Sequence, residues 1–285
     1  MRSAFAEFHP AVLFSYYIGV IVLAMTLLHP FILLSMVLLL SLLNYIHGTT
    51  MKPLLFSSFV IAVFIAVMNP LFTHRGSTIL FYVQDNPVTL EAITYGYTMA
   101  LSFLAVSFAF VSYQTIVSSH KFLYLFSRVS PKVALLTMIS IRFVPLFMRR
   151  LGQIQLVHKH KGVGIKAKVS QGMKLLSVLL VCSLEEALQT ADSMSARGFG
   201  TTKRSTYIRY RMSNRDYRLF AVLLGLFLGA VVLASQGIGV LVIYPKLPSL
   251  MLRGIGILSY MLCILYVSIP LVIEGREWLW WRMQK

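Results

Sequence analysis

The sequence has 285 residues, of which 58% are hydrophobic and only 12% are charged, and its mean hydropathy is +0.77. This composition excludes an ordinary soluble domain, in which a helix buries one apolar stripe and keeps its other faces polar. The formal net charge is +17, so the basic residues have to be located before a role is assigned to them. The two cysteines, Cys182 and Cys263, lie in apolar stretches without CxxC spacing, which indicates buried thiols and no redox site.

Several apolar segments are long enough to cross a membrane, which takes about 20 residues. The first, residues 11–47, is too long for one crossing and is interrupted at His29-Pro30, where proline disfavours a continuous helix. We predict two spans joined by a tight turn at this point. The alternative is a single kinked helix. A polar stretch from Thr73 to Glu91 is predicted as a loop. The remaining predicted spans are residues 54–72, 92–117, 219–243 and 251–273.

The positive charge is concentrated between the fourth and fifth of these spans. Residues 118–218 contain 18 Lys and Arg against 4 Asp and Glu, so they carry +14 of the total +17. Basic segments flanking spans favour the cytoplasmic side, which places this region and both termini in the cytoplasm of a multi-pass protein of the cell membrane. The predicted organisation is N-terminal spans at 1–117, a basic cytoplasmic region at 118–218, and C-terminal spans with a short tail at 219–285.

Three kinds of binding could explain the basic region. Nucleic-acid binding is disfavoured because few aromatic residues are interleaved with the charges between Met148 and Ala196. Binding of anionic lipid at the inner leaflet is expected for any such cluster, at about 1 kcal/mol per basic residue near the surface. Docking of a cytoplasmic partner is the more specific hypothesis, and the order of the residues favours it.

Two long amphipathic helices are predicted inside the basic region, at about 132–161 and 169–197. In both, apolar residues recur at steps of three and four. Each ends in a short tripeptide with a central cation, His160-Lys161-Gly162 and Ala196-Arg197-Gly198. A glycine after a terminal cation is typical of a left-handed C′ cap. Adjacent Glu185 and Glu186 are interpreted as a solvated flank or as partners for nearby lysines. The apolar positions are Leu135, Ile139, Phe143, Leu146, Phe147 and Leu151 in the first helix, and Leu176, Leu179, Leu180, Leu184, Ala187, Leu188 and Ala191 in the second.

The run ADSMSARGF at residues 191–199 resembles the ADAMxARGY motif of the transmembrane T component of energy-coupling factor (ECF) transporters, a family that includes the cobalt-uptake membrane subunit. Arg142-Phe143-Val144-Pro145 is similar to the RFxP segment of the same family. Shorter similarities extend the resemblance over about 130 residues, from Asn69 to Gly200. They are Asn69-Pro70-Leu71-Phe72, His74-Arg75-Gly76, Leu90-Glu91-Ala92, Tyr95-Gly96 and the segment KFLYLF at 121–126.

This resemblance implies an all-α polytopic membrane protein with about six spans and two long amphipathic cytoplasmic coupling helices. It also implies a non-catalytic subunit that binds two ABC-type ATPase subunits and a substrate-binding S component, for uptake of a vitamin or a metal ion. By the resemblance, the ATPase-coupling motifs are the two tripeptides, and Arg142, Pro145, Asp192 and Met194 support them. The first tripeptide departs from the usual Ala-Arg-Gly, because Lys161 keeps the charge but lacks the planar fork of arginine.

The residues themselves agree with a subunit that depends on other chains for energy. The sequence has no G-x-x-x-x-G-K-[ST] loop for phosphates, and no charged residue lies at the centre of the first three predicted spans. His158 and His160 point to different helix faces, so no metal site and no cofactor are predicted. A self-contained channel or secondary carrier with a lipid-binding basic region remains the alternative, while a membrane enzyme lacks any catalytic grouping.

Overall fold

A computed structural model describes residues 4–48, 52–73, 76–83, 86–127, 129–157, 165–201, 210–239, 241 and 254–283. The chain forms two compact units. The first combines Met1–Phe122 with Tyr210–Lys285, and the second is Leu123–Arg209. Helices dominate both units, which confirms the predicted all-α class of a polytopic membrane protein.

Within its described residues, the first unit contains six long helices and one hairpin. A short 3₁₀ turn, Ala4–Glu7, precedes them. Its helices are α1 Pro10–Thr26, α2 Pro30–Ile46, α3 Lys52–Phe72, α4 Leu90–Ile116, α8 Asn214–Ser235 and α9 Ile255–Met283. The two strands are β1 Ile79–Val83 and β2 Asn86–Thr89, which pair antiparallel. Its main core is built from apolar residues of α1, α2, α4, α8 and α9, while α3 packs mainly along α4.

The tract at residues 11–47 forms two separate helices, as predicted, with the break at Leu27–His29. Pro30 occupies the first turn of α2, where its missing N–H leaves no helical hydrogen bond unmade. In the described residues, five helices are long and apolar enough to span a membrane: α3, α4, α8, α9 and the helix Pro131–Val157. The last of these was predicted as a cytoplasmic amphipathic helix, whereas α1 and α2 are shorter apolar helices of 17 residues each.

The stretch predicted as a loop between the third and fourth spans contains the hairpin, and its final residue, Glu91, already belongs to α4. Glu91 is only 1% exposed. Its carboxylate accepts hydrogen bonds from the backbone amides and hydroxyls of Ser77 and Thr78, the shortest being 2.7 Å from Thr78 Oγ1. Gly76 has a φ of 143°, and a Cβ there would lie 2.6 Å from Glu91 Oε2. The base of the hairpin is therefore tied to the start of α4.

Two segments that carry the family resemblance meet where α3 packs against α4. A Cβ on Gly96 would lie 3.0 Å from the carbonyl oxygen of Ala66 and 3.0 Å from Cβ of Asn69. Glycine at this position lets the two helix backbones approach closely, as small residues do in membrane bundles. The pairing of Asn69 with Gly96 therefore has a packing reason.

A reciprocal pair of tyrosines joins α1 to α9. The hydroxyl of Tyr16 donates to the carbonyl of Val267 at 3.0 Å, and the hydroxyl of Tyr266 lies 3.2 and 3.1 Å from the carbonyls of Ser15 and Tyr16. The two rings stack with centroids 5.5 Å apart. Both are buried, so each phenol places a hydrogen-bonding group in an apolar core where it is satisfied by the partner helix.

The N-terminal segment is anchored to the start of α8 through Asp216. One carboxylate oxygen accepts from the Ser213 backbone at 2.8 Å, and the other lies 3.4 Å from the His9 amide nitrogen. Ser213 and Asp216 form a capping box, the arrangement that satisfies free amides at a helix start. The guanidinium of Arg215 lies 5.7 Å from the centre of the Phe8 ring, a cation–π contact that adds to this attachment. Asp216 thus serves two chain segments at once.

An ion pair joins His47, which follows the last residue of α2, to Glu274 of α9. His47 Nε2 lies 2.9 Å from Glu274 Oε1, and His47 Nδ1 lies 2.7 Å from the Leu43 carbonyl oxygen. A carbonyl oxygen and a carboxylate both accept hydrogen bonds, so the charged imidazolium, which donates from both ring nitrogens, fits these two contacts. Burial lowers the pKa of His47, but the hydrogen bonds from its ring to Glu274 and Leu43 outweigh burial and leave the pKa raised above 6.5.

The raised pKa predicts the sign of a pH effect on stability. The stabilisation from this pair is fully present below the unfolded-state pKa of His47 and is lost as the pH rises through its higher folded-state value. We expect the thermal unfolding temperature of the purified protein to fall across this window, relative to a His47→Gln variant measured in parallel. The comparison needs that variant because burial lowers the pKa of His29, which contributes with the opposite sign. A difference between the two proteins that is independent of pH would contradict the assignment.

The described part of the second unit contains α6 Pro131–Val157, α7 Ile165–Ala196 and, at its border, α5 Ser119–Ser127. The helix α5 was not predicted, because nine residues are too few to establish a periodic pattern. The helices α6 and α7 pack against each other. Both match predicted amphipathic helices, although the predicted end of the first, at Lys161, lies outside the described residues.

Candidate functional site at the ends of the long basic helices

The second basic tripeptide lies where α7 ends, and its geometry is defined by the backbone. The amide of Phe199 donates to the Met194 carbonyl at 3.0 Å, and the amide of Gly198 donates to the Ser195 carbonyl at 2.9 Å. Gly198 has a φ of 75°. These two bonds and the left-handed glycine make a Schellman cap, so the predicted C′ cap at Gly198 is confirmed.

The cap presents Arg197 at the tip of a helix of 32 residues. Its side chain is exposed, and no described residue forms an ion pair with it. Asp192 is also exposed, while Met194 is half-buried and Ala196 is the last helical residue. A cation held on a stiff helix end loses little conformational freedom when a partner binds it, which favours a recognition role.

The first tripeptide, His160, Lys161 and Gly162, lies outside the described residues. The two supporting residues upstream of it lie on α6. Arg142 is exposed, and Pro145 sits inside the helix, where it removes one backbone donor. The role assigned to all of these residues stays a prediction.

A test of the cap compares Gly198, which follows α7, with Gly172 inside that helix. At Gly198 an added Cβ would be strained by the left-handed φ and would meet Thr201 Oγ1 at 3.1 Å, whereas at Gly172 nothing lies within 4 Å. We expect Gly198→Ala to cost about 1 kcal/mol locally and to accelerate amide exchange of Phe199 about fivefold. Gly172→Ala should leave that amide unchanged, since alanine favours a helix interior. Equal exchange of Phe199 in both variants would argue against the cap.

The two helices differ in how their predicted apolar stripes are used. On α6, the predicted stripe is half-buried except at its first member, Leu135, which is exposed; the half-buried members are Ile139, Phe143, Leu146, Phe147 and Leu151. On α7, the regularly spaced leucines lie on an exposed face, with 53–66% of each side chain accessible. Periodicity found both stripes but could not show which one faces the neighbouring helix. The exposed leucines are Leu176, Leu180, Leu184 and Leu188.

The prediction that Glu186 pairs with a nearby lysine was wrong. Its carboxylate does not pair with a lysine of its own helix but lies 2.9 Å from Nη2 of Arg150 on α6. Glu185 is exposed, as expected for a solvated flank. A contact between residues 36 positions apart leaves no trace in local spacing, so sequence reasoning had no signal for it.

In the described part of the chain, no three His, Cys, Asp or Glu residues are grouped in a way that could hold a metal ion. The described end of α7 carries an exposed arginine, a side chain that donates charge-assisted hydrogen bonds to anionic groups.

Comparison with known proteins places the chain in a family. The family model described as CbiQ, cobalt transport protein, matches residues 6–208. A search of curated proteins finds no match. The match covers well over half of the chain and includes both long basic helices, and the apolar helices make it a multi-pass membrane protein. The chain belongs to the CbiQ cobalt transport protein family, which is the family of ECF transporter T components.

Proposed function

We propose that this chain is the energy-coupling membrane subunit of an ECF-type ABC importer. In this role it transmits ATP-driven movement from two ATPase subunits to a substrate-binding S component, for uptake of a metal ion or a vitamin. The observation that carries the proposal is the exposed Arg197 on the capped end of α7, in a chain whose residues 6–208 match the family model. The subunit itself is non-catalytic, and ATP hydrolysis takes place on the partner chains.

The proposed contacts follow from charge and geometry. Arg197 docks one ATPase subunit, with Ala196 and Gly198 allowing close approach because neither has a large side chain. Lys161 docks the second subunit with His160 and Gly162, as a point charge without the planar fork of arginine. Arg142 and the other basic residues of the region bind anionic lipid at the inner leaflet. The basic region and both termini then lie in the cytoplasm.

The test is purification of the tagged protein in mild detergent, with mass spectrometry of the proteins that co-purify. Two ATPase subunits and a small integral membrane protein are expected. Reconstitution into vesicles separates this function from that of a self-contained carrier. Solute uptake should require the complete complex and ATP, whereas uptake by the chain alone would support the carrier and refute the proposal.

The proposed orientation has its own test. Single cysteines at exposed positions 197 and 82, introduced after replacement of Cys182 and Cys263 by alanine, are labelled in intact cells and in inverted vesicles. Residue 197 should react with an impermeant maleimide only in inverted vesicles, and residue 82, in the hairpin, only in intact cells. The reverse pattern would refute the cytoplasmic placement of the basic region.

A further inference from the structure

We propose that the ion pair of Arg150 with Glu186 acts as a pin between α6 and α7: it fixes the register in which the two helices pack, and thereby determines how movement at the Arg197 end of α7 is passed to α6. The consequence for transport rests on the proposed coupling function. The pin itself rests only on contacts within the second unit.

The side chain of Arg150 on α6 contacts α7 at two residues that lie one helical turn apart. Arg150 Nη2 lies 2.9 Å from Glu186 Oε2, and Arg150 Nη1 donates to the Cys182 carbonyl at 3.4 Å. Cys182 and Glu186 are four residues apart, so they lie on the same face of α7, separated by about one turn or 5.4 Å. The contact of Arg150 with Glu186 is an ion pair by distance, although Glu186 Oε2 has no hydrogen-bond partner among the described residues, so charge is what joins the two side chains. A lysine at position 150 keeps the charge but, as a single point charge, would not also donate to the Cys182 carbonyl.

Burial distinguishes this pair from the other charged residues on the two helices. Among the described side chains of α6 and α7, Arg150 and Glu186 are the charged residues that are half-buried, with 37% and 21% of their side chains accessible. The others are exposed: Lys132, Arg142 and Arg149 on α6, and Lys174, Glu185 and Asp192 on α7.

Glu186 also continues the covered stripe of α7, which runs through Leu175, Leu179 and Cys182 at steps of three and four. The carboxylate of Glu186 therefore lies within the covered face of α7. Partly exposed ion pairs add little to stability. Their best-attested use is to select one register between packed helices.

The position of the pair along the chain points to a pivot. Arg150 precedes Lys161 by eleven residues, and Glu186 precedes Arg197 by the same eleven. On α7, eleven helical residues correspond to about 16 Å. On the first helix the equality is one of chain length, since residues 158–164 lie outside the described part. On α7, a contact fixed at Glu186 lies one such length from Arg197, so movement of that helix end reaches α6 through the pin.

Charge-swap variants test the pin. Arg150→Glu and Glu186→Arg each place like charges at this contact between α6 and α7. Uptake by the reconstituted complex should then fall about 2- to 30-fold, the range typical of mutations that alter coupling between sites. The double variant Arg150→Glu/Glu186→Arg restores opposite charges and should recover most of the uptake. Arg150→Lys should give an intermediate value. The adjacent exposed pair, Arg149→Glu and Glu185→Arg, is the matched control and should stay within about twofold of wild type.

A distance measurement keeps the pin testable without the partners. Spin labels at exposed positions 148 and 188 of the purified chain report the separation of α6 and α7, in a background with Cys182→Ala, which keeps the backbone carbonyl, and Cys263→Ala. Each single charge reversal should broaden the distance distribution and the double variant should narrow it again. Unchanged distributions in the single variants, or failure of the double variant to recover, would overturn the pin. If the wild-type chain captures no ATPase but shows this distance pattern, the proposed function fails while the pin is supported.

Discussion

Charge reversal at Arg197 is expected to abolish capture of the ATPase subunit that docks at the end of α7, and with it the ATP-driven uptake. Arginine anchors at protein interfaces often cost 2 kcal/mol or more on truncation, about 30-fold in affinity, and reversal adds repulsion. Arg197 is exposed and no described residue pairs with it, so the folded protein itself has little reason to lose stability. The measurement is co-purification of the ATPase subunits with the Arg197→Glu variant, together with uptake in vesicles.

The matched control is Lys174→Glu, which makes the same charge change at an exposed position earlier on α7. The Lys174→Glu variant should still co-purify with the ATPase subunits. A general loss of positive charge weakens contact with anionic lipid but leaves the specific contact of Arg197 in place. A conservative Arg197→Lys variant measures how much the planar fork contributes, and Lys161→Arg is its counterpart at the other tripeptide. If the Arg197→Glu protein retains both ATPase subunits and full uptake, the assignment of Ala196-Arg197-Gly198 as an ATPase-docking motif is refuted.

Replacement of Gly19 by alanine is expected to cause the largest loss of stability in the first unit. A Cβ at this position on α1 would lie 2.0 Å from the hydroxyl oxygen of Tyr266 and 2.6 Å from Cζ of its ring. The ring cannot move aside freely, because it is buried, stacks on Tyr16 and hydrogen-bonds to the α1 backbone. Overpacking a core usually costs 1–3 kcal/mol, and loss of a buried hydrogen bond adds about 1 kcal/mol.

The measurement is thermal unfolding of the purified variant in detergent, or the yield of monodisperse protein where unfolding is irreversible. Gly225→Ala is the matched control, because Gly225 lies within the membrane helix α8 and nothing is found within 4 Å of its Cβ position. That variant should be as stable as wild type or slightly more stable. Tyr266→Phe keeps the ring and removes the hydroxyl, so it should lose only about 1 kcal/mol. Wild-type stability in Gly19→Ala would contradict the close packing of α1 on α9.

Features that depend on neighbouring residues in the chain were predicted well. The apolar segments are recognisable because each needs about 20 consecutive residues to cross a bilayer. The break before Pro30 and the cap at Gly198 follow from backbone chemistry that acts over a few residues, and the structure confirms both. The hairpin after α3 escaped prediction because its strands of five and four residues lie in a segment rich in loop-forming residues.

Contacts between distant segments could not be found in this way. Glu91 had no special role until the fold brought Ser77 and Thr78 to its carboxylate, and the ion pair of His47 with Glu274 joins residues far apart in the chain. Composition also left the setting of α6 undecided: its periodic pattern predicted a cytoplasmic helix, whereas it is long and apolar enough to span a membrane. A stretch of Leu, Ile, Val and Met has the same hydropathy whether it faces lipid or a partner protein.

By itself, the sequence determined that this protein is an all-α, multi-pass membrane protein with a basic region, and the run at residues 191–199 identified its family, because hydropathy, charge and short motifs are properties of consecutive residues. The tertiary structure alone decided which faces of those helices are covered. It paired Tyr16 with Tyr266 and Arg150 with Glu186, since such pairings are selected by the packing free energy of the whole fold and leave no local trace. Within the basic region it placed the ion pair of Arg150 with Glu186 between α6 and α7 and left an exposed arginine at the end of α7.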